Sequence, residues 1–138
     1  MLADAIARGL AAAGSRVVYG LPGGGNNLEV VGACERAGLR FVLVHGESAA
    51  AIMAGVDGEL TGAPGACVVT RGPGLASAVN GVAQAHLDRQ PMLLISDAVP
   101  CSDRARATWV LETQYRVVVK GTKAGNELDF DWTFTATS

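Results

Sequence analysis

The chain has 138 residues, of which 49% are hydrophobic and 17% charged, with 18 glycines and a formal net charge of −2. That length supplies one domain with a real core and is too short for two ordinary ones, while the composition excludes a disordered chain. The Lys and Arg residues are scattered, which excludes a basic stripe of the kind that tracks nucleic acid, and no apolar run approaches the ~18 residues of a membrane helix.

Asp4 and Arg8 interrupt the first segment where a signal peptide would be continuously apolar, so a cytoplasmic protein is expected. Low charge leaves apolar surface for a partner to cover, and an oligomer is the default expectation. Cys34, Cys67 and Cys101 are odd in number and widely spaced, which argues for plain thiols, two of them in the core, over a disulfide framework or a CxxC metal site. His45 and His86 have no carboxylates or cysteines at ligand spacing, so no metal site is expected on this chain.

In chain order, Leu2, Ala5, Ile6, Leu10 and Ala13 recur at helical spacing, with Gly9 on the same face and Gly14 as the stop. Val17, Val18, Tyr19 and Gly20 predict a short strand, and the glycine-rich residues 21–27 a loop. Leu28, Val30, Val31 and Cys34 line a second helix that Gly38 ends, before a strand over residues 41–44. A third helix runs over residues 47–60, and its stripe of Ala51, Ala54, Gly55 and Gly58 suits close approach of another backbone, a facing subunit being the expected neighbour.

Residues 66–70 then read as a strand buried on both faces, as in a parallel sheet covered by helices. A fourth helix over 75–87 and a fourth buried strand over 91–96 follow. Beyond Cys101 the pattern changes: Leu128, Phe130, Trp132 and Phe134 alternate, which suits an edge strand or hairpin. Helix and apolar strand repeated four times with glycine-rich turns predict an α/β doubly wound domain with a parallel sheet, its ligand site at the carboxyl ends of the strands. Four segments start there, at Tyr19–Asn27, at His45, Gly46 and Glu47, at Thr70–Gly74, and at Ser96–Pro100.

Familiar phosphate fingerprints fail on these loops. Leu28 and Ser77 stand where a G-x-G-x-x-G needs its third glycine, and no G-x-x-x-x-G-K-[ST] exists. Ser48 and Ser77 lack the surroundings of a nucleophile elbow. Glu47 by itself reads either as a first-turn helix charge, worth ~0.3–1 kcal/mol, or as a catalytic carboxylate.

Order and spacing together say more. Leu21-Pro-Gly-Gly-Gly25, then the run from Phe41 through His45-Gly-Glu47 to Ala54, then Leu60-Thr-Gly-Ala-Pro-Gly65 leading to Thr70-Arg-Gly-Pro-Gly74, then residues 80–96 closely resemble the N-terminal pyrimidine-binding domain of thiamine diphosphate enzymes. The resemblance is to the acetolactate synthase, benzoylformate decarboxylase and pyruvate oxidase group and covers about residues 2–106.

That resemblance implies a flavodoxin-like domain over residues 1–110, with residues 111–138 a divergent, unassigned tail. It implies that Glu47 hydrogen-bonds a ring nitrogen of the cofactor's aminopyrimidine and favours the imino tautomer, which deprotonates the thiazolium carbon ahead of attack on a 2-keto acid. It places Pro22, Gly23 and Gly24 towards the thiazolium side across a subunit interface, and Thr70, Gly72, Pro73 and Gly74 by the pyrimidine.

Two departures limit what the chain could do alone. Asp57-Gly58-Glu59 stands where the family carries Tyr-Ala-Arg, and the G-D-G motif that holds the diphosphate through Mg²⁺ in the family is absent from these 138 residues. Only the pyrimidine end of thiamine diphosphate is therefore expected here, with Mg²⁺ on a pyrophosphate-domain subunit and a 2-keto acid as substrate of the complete decarboxylase, lyase or synthase. The alternatives are a catalytically inactive truncated remnant, an oligomerisation or regulatory partner of a full-length relative, and a nucleotide-binding module using Gly72-Pro73-Gly74.

Overall fold

Eight elements alternate along residues 2–23 and 27–97, the part of the chain that the computed structural model describes. They are α1 (Leu2–Ala12), β1 (Val17–Leu21), α2 (Asn27–Arg36), β2 (Arg40–Leu43), α3 (Glu47–Thr61), β3 (Gly65–Val69), α4 (Pro73–Leu87) and β4 (Met92–Ser96). Each stops for a local reason. At the end of α3, for example, Gly62 takes φ 71° and returns its N–H to the Gly58 carbonyl, an αL cap that favours glycine.

The strands form one all-parallel sheet in the order β2-β1-β3-β4. This is the doubly wound architecture that the alternation of elements predicts. Two apolar cores lie on its opposite faces, and residue parity in β3 separates them. Ala66 and Val68 join Ala3, Ala7 and Leu10 of α1 and Val30, Ala33 and Cys34 of α2. Cys67 and Val69 join Ala50, Ala51 and Ala54 of α3 and Ala78, Val82 and Ala85 of α4. All five residues of β3 are buried, so the strand expected to be covered on both sides is covered on both sides. Arg36 pairs with Asp4 at 2.7 Å on the surface where α2 meets α1.

Several faces differ from the sequence reading. In α1 the buried set is Ala3, Ala7 and Leu10, while Leu2 is 78% exposed and Ala5 and Ala13 face solvent. Alanines on every side of this helix make its apolar stripe ambiguous by periodicity. In α2, Asn27 and Ala33 are buried and Leu28 is 66% exposed. The strand expected to be fully buried at 91–96 is buried at Met92 alone, because β4 is the last strand of the sheet among the described residues. Gly9 is exposed, and a Cβ there would meet nothing within 4 Å. Gly9→Ala should therefore stabilise the protein by about 0.5–1 kcal/mol through lower backbone entropy in the unfolded chain, read as a raised midpoint in thermal denaturation.

The small-residue stripe of α3 is buried, as its composition suggests, but its neighbours belong to the same chain. A Cβ on Gly58 would run into the Pro91 carbonyl, and one on Gly65 into the Ala54 carbonyl. Gly81 of α4 lies so close that a Cβ would stand 2.6 Å from the Ala51 Cβ. The stripe seats α3 on its own sheet and on α4 rather than on a facing subunit. Both thiols inside the described residues, Cys34 and Cys67, are buried and free. Cys101 and the alternating segment at 128–134 lie outside the described residues.

Candidate functional site

Because all four strands are parallel, the segments that leave their carboxyl ends emerge on one edge of the sheet. The order β2-β1-β3-β4 reverses between β1 and β3. The helix after β1 packs in the α1–α2 layer and the helix after β3 in the α3–α4 layer, so the two connections part to opposite faces. In open α/β sheets that switch point is where a ligand crevice forms.

Gly23 and Thr70 meet there. A Cβ on Gly23 would lie 2.7 Å from the Thr70 Cβ and 2.8 Å from its Oγ1. A Cβ on Gly74 would lie 2.7 Å from Thr70 Cγ2 and 3.2 Å from Glu47 Oε1. The Thr70 side chain thus occupies the room that two missing methyl groups leave, and Glu47 reaches the same spot from the start of α3.

The structure therefore brings Gly23, Glu47, Thr70 and Gly74 into one cluster. Gly72 and Pro73 are exposed in the same loop, Gly72 with φ 65° and Pro73 opening α4. Pro22 is half-buried beside Gly23, and Gly24 lies outside the described residues.

Glu47 is the first residue of α3, preceded by Gly46, which gives no side-chain cap. The first-turn N–H groups of α3 are left without a capping side chain, which favours negative charge at this end. The carboxylate is half-buried, and among the described residues nothing hydrogen-bonds to it. Next to it, Ser48 donates its hydroxyl to the Ser77 carbonyl and ties the start of α3 to α4. A Cβ on Gly46 or Gly72 would meet nothing within 4 Å, so both flanks of the cluster border open space.

Cys67 lies beneath this edge. Burial, with the Glu47 charge as the second cause, pushes its thiol up to about 12 from an ordinary 9.0. Since the folded value is the higher one, the contribution to stability is complete below pH 9 and is lost as pH rises from 9 towards 12. The free energy of unfolding, followed through denaturation midpoints, should fall over that window by up to ~1.4 kcal/mol per pH unit, and Cys67→Ala should flatten this part of the profile.

Two residues that sequence reasoning did not single out belong to the same edge. Asp97 Oδ1 accepts a hydrogen bond from the Arg71 backbone N–H at 3.0 Å and another from Asn27 Nδ2 at 3.2 Å. Asn27 reads as the last loop residue by composition but is the first residue of α2 and 2% exposed. Asp97 could have been suspected as the lone acid in the strand-end segment after Ile95.

Comparison with known proteins shows the family. The chain is 35% identical over 104 residues to a catabolic acetolactate synthase of Raoultella terrigena, covering 75% of this chain and 18% of that protein. It is 37% identical over 93 residues to a probable 2-ketoarginine decarboxylase of Pseudomonas aeruginosa, covering 67% and 16%. It is also 37% identical over 67 residues to a 2-hydroxyacyl-CoA lyase of Mus musculus, covering 49% and 12%. The chain thus spans less than a fifth of the length of these relatives. The family described as thiamine pyrophosphate enzyme, N-terminal TPP binding domain, matches residues 1–118, beyond the stretch that carries the motifs. With its parallel sheet and the strand-end cluster of Gly23, Glu47, Thr70 and Gly74, the chain belongs to the N-terminal thiamine pyrophosphate-binding domain family.

Proposed function

We propose that this chain supplies the aminopyrimidine side of a thiamine diphosphate site in an acetolactate synthase-like, decarboxylase or lyase enzyme, and that Glu47 is the activating group. The observation that carries this reading is the Glu47 carboxylate itself. It is half-buried at the switch point of the sheet, set against the Gly74 backbone, with no hydrogen-bond partner among the described residues.

The residues fit such a ligand. A flat heteroaromatic ring asks for a carboxyl group at one nitrogen and for backbone that can come close, and Glu47 with Gly72 and Gly74 offers both. Bound thiamine diphosphate would supply the carbon nucleophile that adds to a 2-keto acid carbonyl.

The chain's own residues have narrower tasks. Glu47 hydrogen-bonds the ring nitrogen through its carboxyl group and selects one tautomer by that bond. Thr70, wedged between Gly23 and Gly74, keeps the β1 and β3 loops at a fixed separation. Pro22 and Gly23 form the wall towards the reacting end, to which the family resemblance also assigns Gly24, and Gly72-Pro73-Gly74 the wall by the pyrimidine. Mg²⁺ and the diphosphate are assigned to a separate pyrophosphate domain, because the G-D-G motif that the family uses for them does not occur in this sequence.

Isothermal titration with thiamine diphosphate and Mg²⁺ tests the reading, first on the chain alone and then on the chain mixed with a pyrophosphate-domain partner. Heat of binding in the mixture alone is the expected result. A mixture that shows neither binding nor a complex on size exclusion would sink the proposal in favour of a non-catalytic role.

A further inference from the structure

We propose that Asp97 is a positioning residue for this site, setting the distance between the two loops that form its walls; the inference rests on the thiamine diphosphate reading above. Asp97 directly follows β4, and β4 pairs with β3 alone among the described strands. Its Oδ1 accepts from the Arg71 N–H, in the middle of the three-residue β3–α4 loop, at 3.0 Å. The same oxygen accepts from Asn27 Nδ2, at the point where the β1–α2 loop enters its helix, at 3.2 Å.

One carboxylate oxygen at the end of β4 therefore holds both the loop that leaves β3 and, through the Asn27 side chain, the start of the helix that follows β1, a strand two places away in the sheet. The segments it joins carry Gly23 on one side and, on the other, Thr70 with Gly74 in the first turn of α4, residues whose mutual fit makes the cluster. Thr70 prevents these loops from approaching further, because the room for it is already filled at both glycines. Asp97 opposes their separation. A charged acceptor makes a stronger bond to N–H than a neutral one, and a short loop that ends on Gly72 at φ 65° has little intrinsic stiffness of its own. Errors of about 1 Å in such walls are enough to disturb a bound reactant. Asp97 itself has no place against the ring; it acts through Arg71, Asn27 and the loops that they anchor.

The test compares Asp97→Ala, Asp97→Asn and Glu47→Gln in the full chain. Backbone amide exchange, measured without cofactor, should show the Arg71 amide losing protection about tenfold in D97A, the fold-change that corresponds to one net hydrogen bond. D97N should retain most of that protection, because its amide oxygen still accepts from Arg71, and the Val18 and Val68 amides should be unchanged in both. Titration of thiamine diphosphate with Mg²⁺ into the chain plus a pyrophosphate-domain partner should then show affinity about tenfold weaker for D97A and close to wild type for D97N.

If wild type binds, E47Q binds more weakly, and D97A binds as tightly as wild type, the positioning role is overturned while the cofactor reading stands. If wild type itself fails to bind, both fall. Loss of Val18 and Val68 protection in step with Arg71 would show general destabilisation, and would also overturn the role.

Discussion

Glu47→Gln is expected to lower turnover of the assembled enzyme by about 10²–10⁴-fold while the domain stays folded. The amide keeps the size and shape of the carboxyl group but cannot pass a proton to a ring nitrogen. Its structural cost is small: the charge lies at a helix start, where its loss is worth ~0.3–1 kcal/mol. The damage should fall on kcat far more than on the Michaelis constant, because the lost interaction serves activation more than binding of the keto acid. Parallel circular dichroism melts and steady-state kinetics on wild type, E47Q and Glu47→Asp would check this. A variant with near-normal kcat would show that Glu47 is merely a helix-capping charge.

Gly65→Ala should be the most destabilising single methyl group that can be added to the described fold, with a loss of about 3 kcal/mol or more. The added Cβ would overlap the Ala54 carbonyl, and its next neighbours, Ala54 C and Cα, are also backbone of α3. No side-chain rotation relieves that clash; the helix has to move off the sheet.

Gly55→Ala provides the contrast. There the nearest obstacle is the end of the Gln90 side chain, which can give way at the expense of its 2.7 Å bond to Glu59, so a loss nearer 1–2 kcal/mol is expected. Urea titrations of the two variants would rank them. Equal midpoints would mean that α3 is not held to β3 as described.

The type and order of all eight elements were legible in the sequence, because strands bounded by glycine and helices with 3.6-residue repeats leave distinct patterns. Faces were less legible. The stripe of α1 could be drawn through Leu2 and Ala5 or through Ala3 and Ala7, and only packing against α2 and the sheet decides between them. The small face of α3 was recognised but given the wrong neighbour, since a run of Ala and Gly says that a backbone comes close without saying which.

In the site, the loops at the strand ends could be anticipated from topology. The meeting of Gly23, Thr70, Gly74 and Glu47 could not, because it joins Gly23 to Thr70 across 47 positions of the chain (70 − 23) and Glu47 to Gly74 across 27 (74 − 47). Asp97 was hidden for the same reason: its bonds to Arg71 and Asn27 span 26 and 70 residues.

The burial of every residue in β3 has one more consequence. A strand with alternating apolar and polar residues resists slipping by one position, since slippage would turn its polar side chains inward. β3 has no such alternation between Gly65 and Val69, so hydrophobicity alone does not fix its register. Gly65 does, as the one residue of the strand without a side chain to collide with Ala54. It serves as the origin of a ruler on which Thr70 is marked five residues further on. A single deletion among residues 66–69 would preserve an apolar strand, yet move that mark by ~3.3 Å and rotate it to the opposite face.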